Sequence, residues 1–190
     1  MHPVNERVST LPVKLPPANN TQATLPGTLA VAWGVGGFVL LMGFALWRLV
    51  PLARESFDYA WGWHHAAVFA INLAFMAWTE GYRGFQQAFS PRFGARCHHL
   101  LHHATWGQAL LAPLVTMNFI CAPRRRVIVA WALTIGIIAV VLLYRQLPQP
   151  WRGILDAGVV LGLAWGLIST LVHVVLALRR GPGVDPEFRG

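Results

Sequence analysis

The residues best equipped for chemistry are histidines. His98, His99, His102 and His103 form two pairs spaced by four, directly after Cys97. On a helix each such pair shares a face, and neutral imidazoles placed that way can hold zinc, copper, iron or nickel, so this group is the candidate metal site. No carboxylate lies close in sequence. Glu80 reaches the group only if the intervening segment folds back, and the zincin pattern with its internal Glu is absent. The plainer reading is an amphipathic turn at the membrane surface that tolerates histidines.

A second set depends on topology. With five membrane crossings, His64, His65 and His173 each lie about five residues, roughly 8 Å, inside the same membrane face. Equal depth suits a haem b held by two axial histidines, with Arg179 or Arg180 meeting its propionates. Histidines within spans also serve simply as hydrogen-bonding groups between helices. Neither set designates a catalytic residue.

The elements that must position these side chains are membrane helices. Of 190 residues, 55% are hydrophobic and 12% charged, a charged share well below that of soluble domains, and the mean hydropathy is +0.49. Backbone groups in lipid must be satisfied within the segment, which favours helices. The predicted fold is an all-α polytopic membrane bundle of five spans, at about 29–47, 59–79, 104–122, 127–144 and 154–178. Arg48 and Pro51 end the first. Pro113 interrupts the third and Pro123 ends it, leaving a kinked or re-entrant path open there. Gly181 and Pro182 stop the fifth. Residues 1–26, with five prolines and Asn19-Asn20-Thr21, read as a polar tail, and 181–190 as a second one. No signal-peptide pattern precedes the first apolar run.

Between spans, 80–103 reads as an interfacial loop or helix. Phe85, Phe89 and Phe93 recur every fourth residue, so their rings could face lipid with Arg83, Arg92 and Arg96 toward headgroups, and Ser90-Pro91 breaks any long helix. The net charge of +8 would prompt a search for nucleic-acid motifs in a soluble chain, but none is present and the arginines flank apolar runs, so headgroups are the expected partner and nucleic acid is not. Clusters at Arg124 to Arg126 and at Arg179 and Arg180 place those ends in the cytoplasm. Five crossings then put the N-terminus outside and the C-terminus inside. Cys97 and Cys121, read on one continuous helix, would sit roughly 36 Å apart, too far for a disulfide.

Gly158, Gly162 and Gly166 form a ladder at intervals of four, the usual device for close helix approach. It is the expected contact face for another membrane subunit or a homo-oligomer. Asp156 lies one turn after Arg152, and Glu80 three residues before Arg83, spacings that suit local ion pairs. Asn72, Thr116 and Asn118 read as polar glue between helices.

The strings EGYRGFQQAFSPRF and LPQPWRGILDAGVVLGLAWG resemble uncharacterised multi-pass inner-membrane proteins of proteobacteria, over about residues 59–178. The resemblance implies a bacterial inner membrane and transfers no activity. The histidine run also resembles one histidine box of the membrane desaturases and hydroxylases, whose other boxes are missing here. The expected function is an accessory or structural component of a membrane assembly. The alternative is a haem- or metal-dependent redox protein using the histidines above. A transporter is disfavoured by the odd span count, the lack of an inverted repeat and the scarcity of charge within spans.

Overall fold

A computed structural model describes residues 22–121 and 123–186. The prolines before Leu25 and the Asn19-Asn20-Thr21 triplet lie outside the described residues, as do residues 187–190. The described chain is helical, and three segments are long and apolar enough to cross a membrane: Leu25–Asp58, Arg124–Leu143 and Trp151–Arg180.

Helix α1 runs from Leu25 to Glu55. Thr24 caps it by accepting from the Gly27 N–H at 3.1 Å, and Pro26 sits where no intrahelical N–H is needed. Pro51 lies inside the helix instead of ending it. A 3₁₀ turn, Ser56–Asp58, then reverses the chain.

The next segment differs most from expectation. Helix α2, Trp63–Met76, passes into a π-helix, Ala77–Phe89, and on into α3, Ser90–His103, without a break. The 80–103 loop is therefore the upper half of a 41-residue rod. Ser90-Pro91 does not interrupt it because the π register absorbs the proline. The Ser90 N–H reaches back five residues to the Phe85 carbonyl, and Pro91 enters at the start of a new α-helical register, where its missing N–H costs little.

The expected span 104–122 is a correction. It divides into two five-residue helices, α4 (Trp106–Leu110) and α5 (Ala112–Thr116), followed by a turn with Asn118 at φ 69° and Cys121 at φ 55°. Pro113 can start a helix but cannot continue one, and left-handed residues end the second. The hairpin folds beside the first turns of α1. Pro113 meets Gly37, Thr116 meets Gly34, and Ile120 and Cys121 return to the level of Ala30. Cys97 and Cys121 are both free, although the continuous helix expected to separate them does not exist.

Helix α6, Arg124–Tyr144, leaves this end, and α7, Trp151–Arg180, returns from the other, stopping at Gly181 with φ 85°. Gly27 of α1 lies against Leu100 and Leu101 of α3, and Gly94 of α3 lies against His173 and Ala177 of α7. The first and last described residues thus share one end of the bundle, whereas five crossings would have separated them.

The core is where α1, the rod and α7 meet. The rod and α7 run parallel, pairing Gly158 with Asn72, Gly162 with Glu80, Gly166 with Phe85 and Thr170 with Ser90. Apolar burial gains little in lipid, so contact of this closeness comes from residues without side chains. The glycine ladder is accordingly filled by the chain's own rod, and a partner has to use another surface. Phe85, Phe89 and Phe93 turn inward, not toward lipid. Phe38 of α1 stacks on Phe89 at 5.6 Å and meets Phe93 at 5.0 Å between ring centroids.

Candidate functional site

The two histidine sets lie at opposite ends of the rod. His64 and His65, with ring centroids 4.0 Å apart, sit in its first turn against Trp151, which opens α7. The Gly62 N–H donates to His65 Nδ1 at 3.0 Å. His173 lies 22 residues further along α7, about 33 Å at helical rise, with its Nδ1 2.8 Å from the Ser169 carbonyl oxygen. The structure does not bring His64 or His65 to His173, and one haem cannot span the interval. The equal depth expected for them depended on the third span, which the hairpin replaces.

His98 and His102 approach to 4.9 Å between ring centroids, and His99 and His103 to 5.0 Å. These are two separate pairs. Among the described residues no group of three or more His, Cys, Asp or Glu side chains is placed to hold a metal ion. Gly94, four residues before His98, lies against His173 and Ala177, so the pairs begin at the level of α7's last turn.

Close by is a residue that the sequence placed at the headgroups. Arg96 is 1% exposed. Its Nη1 donates to the Val115 carbonyl at 2.7 Å, a group at the end of α5 that also accepts from the Asn118 N–H at 3.3 Å. Arg96 thereby fastens the hairpin to the rod. Only the helical continuation through Ser90-Pro91 would have revealed this inward direction.

The expected local pairs divide. Arg152 and Asp156 lie 3.8 Å apart, with Asp156 1% exposed. No hydrogen bond or ion pair joins Glu80 to Arg83 among the described residues. Asn72 does bind across helices, its Nδ2 donating to the Ile154 carbonyl at 2.8 Å, while Thr116 turns back to Ala112 and Pro113 of its own hairpin.

The feature that the sequence did not single out is the outward face of the π-helix. Its inner side packs on the middle of α7: Gly81 lies against Trp165, Phe85 against Gly166, and Gln86 accepts from Trp165 Nε1 at 2.9 Å. Glu80, Arg83 and Gln87 are exposed. Trp78 and Tyr82, 5.2 Å apart, border a shallow hollow of about 280 Å³ lined also by Ala74, Ala77 and Trp165. Glu80 and Arg83 thus set two charges near the middle of α7's length, in a stretch of π-helix, a form rare in proteins.

No protein-family model, curated protein or solved structure matches this chain in comparison.

Proposed function

We propose that this chain is a multi-pass membrane protein serving as an accessory or structural component of a larger membrane assembly. The observation that carries the reading is α6. Of its 21 residues the 18 that follow Arg126 carry no charge and Thr134 alone is strongly polar among them before Tyr144, and none of its described side chains is buried. A helix that adds so little to its own bundle is free to pack against another protein, and packing, not burial from water, is what joins helices in lipid.

The reading includes four crossings: α1, the rod, α6 and α7, with the α4–α5 hairpin entering and leaving at one side. An even number keeps both ends of the chain together. The end shared by Leu25 and Arg180 carries Arg124, Arg125, Arg126, Arg179 and Arg180, against Arg48, Arg54, Arg145 and Arg152 at the other. That excess supports a cytoplasmic position for both termini, in a bacterial inner membrane.

Solubilisation in mild detergent tests the assembly reading. A stoichiometric complex, with another subunit or with further copies, is the expected result. A clean monomer from gently extracted membranes overturns it.

A further inference from the structure

Toward its end, α1 turns four residues to one hollow: Phe44, Trp47, Arg48 and Pro51, spaced as a single helix face, line about 420 Å³. Arg48 is exposed, and among the described residues no ion pair or hydrogen bond engages it. Pro51 has no N–H, so the helical bond to the Trp47 carbonyl four residues back cannot form, and that carbonyl needs a donor from outside the helix. The rings of Phe44 and Trp47 lie 6.1 Å apart and are 56% and 74% exposed.

Depth decides what can fill this hollow. Arg48 stands 23 residues after Leu25, about 34 Å at helical rise, against ~30 Å of hydrocarbon. With α1 crossing from Leu25, Phe44 lies at the edge of the acyl chains, Arg48 at the phosphates and Pro51 beyond them. A phospholipid presents its groups in the same order: chain, phosphate, headgroup. Arg48 answers the phosphate with a charge-assisted bond. The Trp47 carbonyl only accepts, so the headgroup has to donate, and the Trp47 indole favours a cation. An ethanolamine ammonium meets both demands, whereas choline is a cation without N–H and glycerol a donor without charge. We infer that this hollow is a site for phosphatidylethanolamine, with its phosphate on Arg48, its ammonium donating to the Trp47 carbonyl and an acyl chain along Phe44. The inference rests on the membrane reading and goes beyond it in naming a bound lipid and its contacts.

Native mass spectrometry of the full-length protein in mild detergent tests this, with dioleoyl phosphatidylethanolamine, phosphatidylcholine and phosphatidylglycerol offered in equimolar pairs. Wild type should retain the ethanolamine lipid several-fold over each of the others. Arg48→Gln should lower that retention by about tenfold, the loss of one charge-assisted bond. Pro51→Ala returns an N–H to the Trp47 carbonyl in a residue that helices favour, so lipid should still bind through Arg48 while the preference for ethanolamine over choline disappears. Circular dichroism checks that each variant folds, and the two substitutions test different contacts. Equal retention of ethanolamine and choline lipids by wild type overturns the inference, as does a preference that survives Pro51→Ala or binding that Arg48→Gln leaves unchanged. Phosphatidylglycerol held as tightly as the ethanolamine lipid also overturns it, by assigning the site to phosphate alone. A clean monomer that shows the preference sinks only the assembly reading, and a stoichiometric complex without it sinks only this inference.

Discussion

Arg96 and Val115 lie nineteen residues apart in sequence and 2.7 Å apart in space, and their hydrogen bond joins two elements that no long helix connects. The α4–α5 hairpin also packs Ile120 and Cys121 on the cluster that includes Leu100 of the rod.

Arg96→Met should therefore loosen the hairpin before it disturbs the bundle. The Val115 carbonyl, 0% exposed as part of its residue, would lose a charged donor, a change of about 1.5–3 kcal/mol. Thiol labelling gives the readout. Cys121, partly exposed in the hairpin's final turn, should react faster in the variant, while Cys97, 0% exposed in the rod, should remain slow. Equal rates in variant and wild type would show that the hairpin is held by other contacts.

The glycines divide into two classes by what a methyl group would meet. At Gly166 an added Cβ would come within 2.5 Å of the Phe85 ring, whereas at Gly36 and Gly43 it would meet nothing within 4 Å. Gly166→Ala should cost about 1–3 kcal/mol through overpacking. Gly36→Ala and Gly43→Ala should be neutral or stabilise slightly, by up to about 1 kcal/mol, because alanine is the better helix former. Thermal unfolding in one detergent compares them directly.

How much of this was legible in sequence follows from the kind of signal each element carries. Helices α1, α6 and α7 are plain because their apolar runs lack charge, and the stop at Gly181 follows from a residue free to adopt positive φ. The rod was not legible as one element. Glu80, Arg83 and two glutamines interrupt its hydropathy, and Ser90-Pro91 looks like a break unless the five-residue hydrogen-bond step before it is known. The hairpin was half legible: Pro113 marked the weak span, but nothing in the spacing showed Asn118 and Cys121 in left-handed conformations. For the candidate sites, the histidine spacing was read correctly as two i, i+4 pairs. His64 and His65 do not meet His173, because Trp151, which they touch, stands at the other end of α7.

The position of both chain ends can be read independently of any function. Single cysteines introduced at Gln22 and at Pro186, in a background lacking the native two, should be labelled by an impermeant reagent from the same side of sealed vesicles. One placed at Gln146 should be labelled from the opposite side. Labelling of the two ends from opposite sides would restore an odd number of crossings.

The π-helix also bears on biosynthesis. Asn72 to Ser90, nineteen residues of the rod, pass only the thirteen from Gly158 to Thr170 on α7, because a helix bonded five residues back packs more of them into each turn. Those nineteen include Glu80, Arg83, Gln86 and Gln87, and the glycines that receive them are made last, after the ribosome has passed Trp151. The rod must wait near the membrane surface for its seat to arrive. Chains truncated before Trp151 should leave Gln86 and Ser90, each replaced by cysteine, open to aqueous reagents that the finished protein excludes.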